Sequence, residues 1–585
     1  MKLSELTGMG QAVTSLIRRW SAHEFLRDLD AGRSYSYAET GHRIGDLIAA
    51  LDELRVGHGD SVATNLENGP DLAVLILASL VAGTRLALIE PQTPAERVST
   101  YLDMVAPKAV FLRETTGVVA AYPVARMPWT PDAAPVERTR ALPDSPAIRQ
   151  DEAFVIFSSG TTGQPKGVVH THDNVMAELD AMLKAYGFRE AMRHHLTLPL
   201  AHVSGLYRSL LMPFCTGGTV SIRRGFDPRV FWSDMGEGAV EFVQLVPSHV
   251  AVLNRAAAEP PPSALRLQLV GTASAHLPPR EQRAFEERFG VQVLQGYGLT
   301  ETTCGIVLNS LDPAVRRPGV VGFPLEVNEI KLVDTAGLEV ERGEVGEVHV
   351  RGRNVSTRYL GSITPPIQDG WLRTGDLGRI ENDGNLALVG RKTSVVHRGA
   401  YKIYPTEVEE ALAALPGLQE AVVIGVPHPV LGEDLVAFVT PEHGPAPLPL
   451  LAQLRQRLPS YKVPSRIVPV AEIPRNAMGK TMRDVLAKRF TEDRATSSAG
   501  EDPIAARLAR IAAELFGLEP AAVGATFSRD ACAEWDSLGH VRLLAAVEEA
   551  FGVTLDDEAA SSAWTLVELA NVVRYALRTG REPGR

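Results

Sequence analysis

Residues Ser158 to Gly167 read SSGTTGQPKG and follow directly on the strand-like run AFVIF at 153–157. Two hydroxyl pairs, three glycines and one lysine make a loop whose backbone N–H groups and hydroxyls are able to wrap a polyphosphate. Lys166 supplies a cation on a long stem. The string lacks the GK[ST] ending of a Walker loop. A generic polar surface loop shares this composition, but not this order of residues after a strand. Outward from the loop, short β-branched runs (109–112, 219–222, 242–246, 267–271) alternate with helical stretches (173–186, 277–289). That alternation predicts parallel sheets flanked by helices. Between 326 and 352 the pattern becomes strict alternation, VNEIKLVD and then GEVGEVHVRG, as expected of an antiparallel or barrel-like module. From about 391, TEVEEALAAL (406–415), AVVIGV (421–426) and LVAFVT (435–440) predict a smaller α+β unit ending near 490. TEDRATSSAGED (491–502) reads as a linker, and only helical patterns (503–516, 537–551, 564–577) come after it.

The chain has 585 residues, room for several cores at ~150 residues per domain. Hydrophobic residues make up 45% and charged residues 22%, as in soluble globular proteins. The most apolar run, LAVLILASLVAG at 72–83, falls short of the ~20 residues that span a bilayer. The start, MKLSELTGMGQAVTSLIRRW, has no apolar core followed by a small-residue cleavage site, so a cytoplasmic setting without membrane partners is expected. Cys215, Cys304 and Cys532 are too scattered for a disulfide scaffold or a metal site. A net charge of −11 argues against a nucleic-acid partner. Residues 501–570 hold 13 acidic and 4 basic side chains, while the rest of the chain is nearly neutral. With apolar residues interleaved throughout, this reads as a small acidic domain and not as a solvated tail.

Four further stretches carry chemistry: GYGLTET (296–302), GWLRTGD (370–376), GRKTSVVHRGAYKIYPTEVEE (390–410) and PRNAMGKTMRDVL (474–486). With the phosphate-type loop, and in this order across 35–485, they resemble the core motifs of the adenylate-forming enzymes: acyl- and aryl-CoA ligases, firefly luciferase and the adenylation domains of nonribosomal peptide synthetases. The resemblance implies a mixed α/β and α+β multidomain protein. Its large N-terminal portion (1–390) holds parallel sheets and a small barrel-like sheet, and a small mobile α+β lid follows (391–490). It also implies ATP and Mg²⁺. The reaction joins a carboxylate to the α-phosphate and expels pyrophosphate, so cations and dipoles must offset the charge of two approaching anions. Ser158, Ser159, Gly160, Thr161, Thr162, Gly163 and Lys166 are then the phosphate cradle. Gly296 and Tyr297 border adenine, and Thr300 bonds the α-phosphate. Glu301 holds the metal, directly or through water. Asp376 accepts from the ribose hydroxyls, assisted by Arg391. Lys480 bridges the substrate carboxylate and the α-phosphate, so Lys480, Thr300 and Glu301 are the catalytic set.

The acidic end contains CAEWDSLGHVRLL (532–544), with Asp536-Ser537-Leu538 opening a helix whose Leu538, Val541, Leu544, Val547 and Phe551 read as one buried stripe. An Asp-Ser pair there is ordinarily an N-cap. As a whole, 503–580 resembles a four-helix acyl or peptidyl carrier domain bearing 4′-phosphopantetheine on Ser537. That implies two partners: a phosphopantetheinyl transferase, and a downstream condensing or acyl-transferring enzyme that docks on the acidic surface. In the implied cycle the lid supplies Lys480 for adenylation, then rotates so that the thiol reaches the acyl-adenylate.

Amino-acid-activating relatives place an aspartate where this chain, in LPLAHVSGLYRSLL (198–211), has Val203 after His202. Valine offers an ammonium no partner, and a buried unpaired charge is costly. The substrate is therefore read as an aryl or acyl acid without an α-amino group. His202, Val203, Ser204, Ser248, Gly271, Thr272, Gly298 and Cys304 are the candidate pocket residues. Arg208 reads as a surface or helix-flanking arginine; the alternative is that it faces an acidic substrate tail. Thr393 stands at the usual hinge position, and Ala400 where a second glycine is common. The expected role is a loading step of natural-product (nonribosomal peptide or polyketide) biosynthesis. The alternatives are an amino-acid-activating didomain, an acyl-CoA ligase and a non-catalytic carrier scaffold.

Overall fold

Wherever the β-branched runs occur, the computed structural model pairs them into sheets. It describes residues 3–113, 122–128, 151–159, 165–256, 266–361, 364–399, 401–428, 431–441, 450–476, 479–497, 503–519 and most of 523–579. The chain divides into two units: Met1–Val389 with Ala477–Lys480, and Gly390–Asn476 with Thr481–Arg585.

In the first unit, a six-stranded sheet runs in the order Tyr359–Leu360, Pro165–Thr171, Glu152–Ser159, Arg85–Leu88, Ser61–Thr64, Ala109–Phe111. Glu152–Ser159 lies parallel to Arg85–Leu88 and antiparallel to Pro165–Thr171, with Ser158 opposite Lys166. The apolar run at 72–83 becomes the helix Pro70–Ala82, buried on every side and stopped by left-handed Gly83. Among the described residues no helix is long and apolar enough to cross a membrane. A nine-stranded sheet contains the parallel neighbours Phe242–Leu245, Leu269–Thr272 and Gln292–Tyr297. Their carboxyl ends share one edge, the edge from which open α/β sheets present ligand-binding groups. The alternating stretch forms an antiparallel sheet of Asn328–Val333, Val345–Gly352 and Trp371–Ile380, joined by Leu386–Arg391 and Ile367–Gln368.

In the second unit the hairpin Leu418–His428/Gly432–Pro441 pairs with Val396–Arg398 and with Arg466–Pro469. The helix Pro405–Ala413 buries Val408 and Leu412 against this sheet. The helix Arg483–Ser497 continues into the stretch read as linker. Helices Pro503–Phe516, Ser537–Phe551 and Leu566–Thr579 share a core of their own, with Leu508, Trp535, Leu543, Val547, Leu569 and Val573. Trp535 is 1% exposed and donates to His540 Nδ1 (2.9 Å), whose Nε2 bonds the Ala560 carbonyl (2.9 Å). Arg455 forms an ion pair with Glu568 within this unit.

One expectation is corrected here. Leu538 is 68% and Val541 62% exposed, while His540, Leu543 and Val547 are buried. Successive steps of three residues each turn the helix back by roughly 60°. A stripe followed in such steps from Leu538 has therefore moved to the opposite face by Val547.

Candidate active site

The strand Gln292–Tyr297 ends with Gly296 and Tyr297 buried. The Tyr297 hydroxyl donates to Asp376 Oδ2 at 2.8 Å, joining the adenine-type and ribose-type motifs. The chain then turns sharply. A Cβ on Gly298 would stand 1.9 Å from the Cys304 carbonyl oxygen, which only glycine avoids. Thr300–Thr302 forms a 3₁₀ turn, and Thr303 follows at φ 64°, ψ −53°, with the Cys304 N–H on the Thr302 carbonyl at 2.6 Å. This is a γ-turn of the strained sign, at a β-branched residue. The Thr303 hydroxyl holds it in place by donating to the Asn354 carbonyl at 2.6 Å.

Thr300 and Glu301 leave this turn with partners that the motifs alone do not reveal. The Tyr359 hydroxyl donates to Glu301 Oε1 at 3.2 Å, and Lys166 Nζ lies 5.5 Å from the Tyr359 ring centre. The phosphate-type lysine and the expected metal carboxylate thus meet on one phenol. Burial, with Glu301 beside it, pushes that phenol's pKa up and keeps it a donor. Tyr359 reaches this place because its short strand pairs with Pro165–Thr171. On that same strand, His170 contacts the Thr300 carbonyl through Nε2 (2.8 Å) and the Tyr207 hydroxyl through Nδ1 (2.9 Å). Burial lowers its pKa to about 4, so the ring is neutral; a carbonyl can only accept, so Nε2 carries the hydrogen. Gly160, Thr161, Thr162 and Gly163 lie outside the described residues; Ser158, at the strand end, is half-buried.

Around the acid-pocket candidates, His202 turns Nε2 toward Glu90 Oε2 (3.6 Å), and Val203 enters the π-helix Ser204–Leu211 half-buried. Gly271 packs where a Cβ would meet Gln244 Oε1 at 2.2 Å, and the fully buried Thr272 hydroxyl has no hydrogen-bond partner among the described residues. Burial raises the Cys304 thiol to about 12, making it a neutral packing group. Arg208 requires correction: it is 2% exposed. Every residue of Ser204–Leu211 is buried, so that helix has no surface face for an arginine. Gly479, at φ 67°, sits where a Cβ would come within 2.3 Å of the Ser248 hydroxyl, and Lys480 follows it with an exposed side chain. Arg391 closes the strand Leu386–Arg391, half-buried, and Ser537 opens the terminal-unit helix Ser537–Phe551. A lone carboxylate at Glu301 beside a phosphate-type lysine suits Mg²⁺, which takes one or two protein carboxylates and completes its shell with phosphate and water.

Comparison with known proteins adds the family. Residues 15–360 match the AMP-binding enzyme model, and residues 407–480 match the AMP-binding enzyme C-terminal domain. Sulfoacetate–CoA ligase of Cupriavidus necator is 31% identical over 80% of this chain and 94% of its own length. Feruloyl-CoA synthase of an Amycolatopsis species is 31% identical over 78% and 94%. Among solved structures, ATP-bound MatB from Rhodopseudomonas palustris superposes with a TM-score of 0.76 at 26% identity, over 82% of this chain and 99% of that one. The o-succinylbenzoate CoA synthetase of Bacillus subtilis with its acyl-adenylate gives 0.71 at 25% identity, over 81% and 97%.

Proposed function

The chain belongs to the AMP-binding enzyme family and is a ligase that joins a small carboxylic acid to a thiol through an acyl-AMP intermediate, and on that premise we propose that the acid lacks an α-amino group and the thiol is a pantetheine thiol. The observation that carries the reading is the convergence of Lys166 and Glu301 on Tyr359, beside the Tyr297–Asp376 hydrogen bond. A cation, a metal-type carboxylate and a ribose-type carboxylate are thereby assembled from three separate motifs. The substrate carboxylate attacks the α-phosphorus of ATP, forming acyl-AMP and releasing pyrophosphate. The thiolate then attacks the acyl carbon, and AMP leaves. Lys166 offsets phosphate charge, Thr300 bonds the α-phosphate, Asp376 holds the ribose, Arg391 assists it, and Lys480 offsets charge at the reacting oxygens. Glu301 would hold Mg²⁺, which supplies charge neutralisation on the phosphates.

The relatives favour free CoA as the acceptor, since three of those named above are a CoA ligase, a CoA synthase and a CoA synthetase. A second reading rests on the C-terminal helices. Their separate core, the Asp536 carboxylate capping the Gly539 N–H at 2.8 Å, and exposed Leu538 and Val541 beside Ser537 favour a carrier domain with 4′-phosphopantetheine on Ser537. That reading requires a phosphopantetheinyl transferase, and it retains the loading role in natural-product biosynthesis. ATP–pyrophosphate exchange with a panel of aryl, aliphatic and amino acids tests the activation step. Exchange confined to amino acids refutes the substrate class. Labelled acid is then followed into CoA or onto the protein. Unchanged acyl-CoA formation in Ser537→Ala supports the CoA reading; protein labelling that Ser537→Ala abolishes supports the carrier reading.

A further inference from the structure

Arg208 is buried beside Cys304, one of the candidate acid-pocket residues. The Cys304 thiol lies close enough to act on the guanidinium charge, and a Cβ on Gly296 would stand 3.2 Å from Arg208 Nη2. Nε and Nη1 are buried and have no hydrogen-bond partner among the described residues. Such a cation pays full desolvation and leaves two donors unsatisfied, which native interiors rarely tolerate without a ligand or an ion.

Glu178 is the carboxyl whose charge acts on Arg208, and both its oxygens are engaged elsewhere. Its Oε1 accepts from the Gly305 N–H (2.5 Å) and its Oε2 from Asn354 Nδ2 (2.7 Å). Burial also lifts its pKa to about 8, which disfavours its charged form. The other groups facing Arg208, Tyr186 and Cys304, are neutral acids whose own pKa values burial raises. The buried space beside Cys304 therefore holds a fixed positive charge with open donors, carried on a π-helix, a winding that recurs at functional sites.

Resting on the adenylation reading, we propose that Arg208 anchors a second acidic group of the substrate, so that the acid activated here carries a carboxylate or sulfonate at its far end. The guanidinium suits such a group, because a charged N–H donor bonds most strongly to an anionic oxygen. An acid lacking the far anion would leave the buried cation unpaired, the arrangement in which polar pockets discriminate most strongly.

The test is ATP–pyrophosphate exchange by the full-length protein with acids matched in length: succinate against butyrate, 3-sulfopropionate against butyrate, glutarate against valerate. The expected result is a kcat/KM for the diacidic member on the order of 10²-fold or more above its monoacid. In Arg208→Met that ratio should fall toward one, while Arg208→Lys should keep the preference with a raised KM. Should Arg208→Met fail to fold, the parent protein decides by thermal shift at constant ionic strength: stabilisation by the diacid and not by the monoacid supports the anchor. Equal or greater use of monoacids by the parent overturns the inference and leaves adenylation standing. Absence of exchange with every acid overturns the adenylation reading itself.

Discussion

Glu178 offers a thermodynamic test of how the site is charged. Burial lifts its pKa from 4.5 to about 8, against hydrogen bonds from Asn354 and the Gly305 N–H and the field of Arg208; Tyr186, Tyr207 and Cys304 also face it. Between these two values the native state binds more protons than the unfolded chain. Stability from this group is therefore complete below about pH 4.5 and is lost as pH rises through 8. One such group contributes a slope of about −1.4 kcal/mol per pH unit, or about 3 kcal/mol lost from pH 5.5 to 7.5. His170, His172, His195 and His249, lowered to about 4, and His194, lowered to about 3, act with the opposite sign as pH rises toward 6.5, so the parent profile alone is ambiguous. Glu178→Gln isolates the term. Turning an amide toward the Asn354 donor imposes a penalty that does not vary with pH, whereas the titration disappears. The difference in Tm, variant minus parent, should rise by on the order of 3–5 °C between pH 5.5 and 7.5 by differential scanning calorimetry. A difference that stays flat across this range refutes the assigned protonation of Glu178, and a falling one reverses its sign.

Tyr297→Phe removes the 2.8 Å bond to Asp376 and should raise the ATP KM about 10-fold or more, at about 1.5–3 kcal/mol for a hydrogen bond to a charged group, with the acid KM unchanged. An equal rise in both KM values refutes a ribose-side role. Lys480→Ala should slow pyrophosphate exchange by about 10²–10³-fold while sparing thioester formation from supplied acyl-adenylate. Intact exchange removes Lys480 from the catalytic set. Trp535→Ala empties the centre of the C-terminal helical core at about 3–5 kcal/mol, so limited proteolysis should cut 503–579 selectively and leave exchange intact. Equal protection of parent and variant would show that Trp535 does not hold that core.

The sheets are legible in the sequence because their strands are buried on both faces and read as unbroken β-branched runs; FVQLV and LQLVG differ from the strands Phe242–Leu245 and Leu269–Thr272 only at their ends. The contacts that assemble the site are not legible. Tyr359 meets Glu301 through a two-residue strand that nothing in its local pattern announces, and His170 acquires its role from a carbonyl 130 residues away. Arg208 was misread because a lone arginine among leucines fits an amphipathic helix, whereas a wholly buried π-helix offers no polar face. The helix Arg483–Ser497 crosses into the presumed linker because Thr, Glu, Asp and Arg are permissive in a helix once its first turns are anchored by Leu486.

One short loop connects both ends of the proposed chemistry. Tyr297, at its start, is tied to Asp376, the expected ribose carboxylate, and Cys304, at its end, lies beside Arg208, the proposed acid anchor. Between them stand a glycine that admits no Cβ and a threonine held in a strained γ-turn by the Asn354 carbonyl. Thr300 and Glu301 stand between these two anchors. Backbone strain of this kind costs about 1–3 kcal/mol and persists only where the surroundings enforce it. Here Asn354 does so while also holding Glu178, so the residue that keeps the loop taut also helps set the charge state of the pocket. Adenylation depends on bringing two anions into one geometry, and that coupling lets the fold set nucleotide position and pocket charge together.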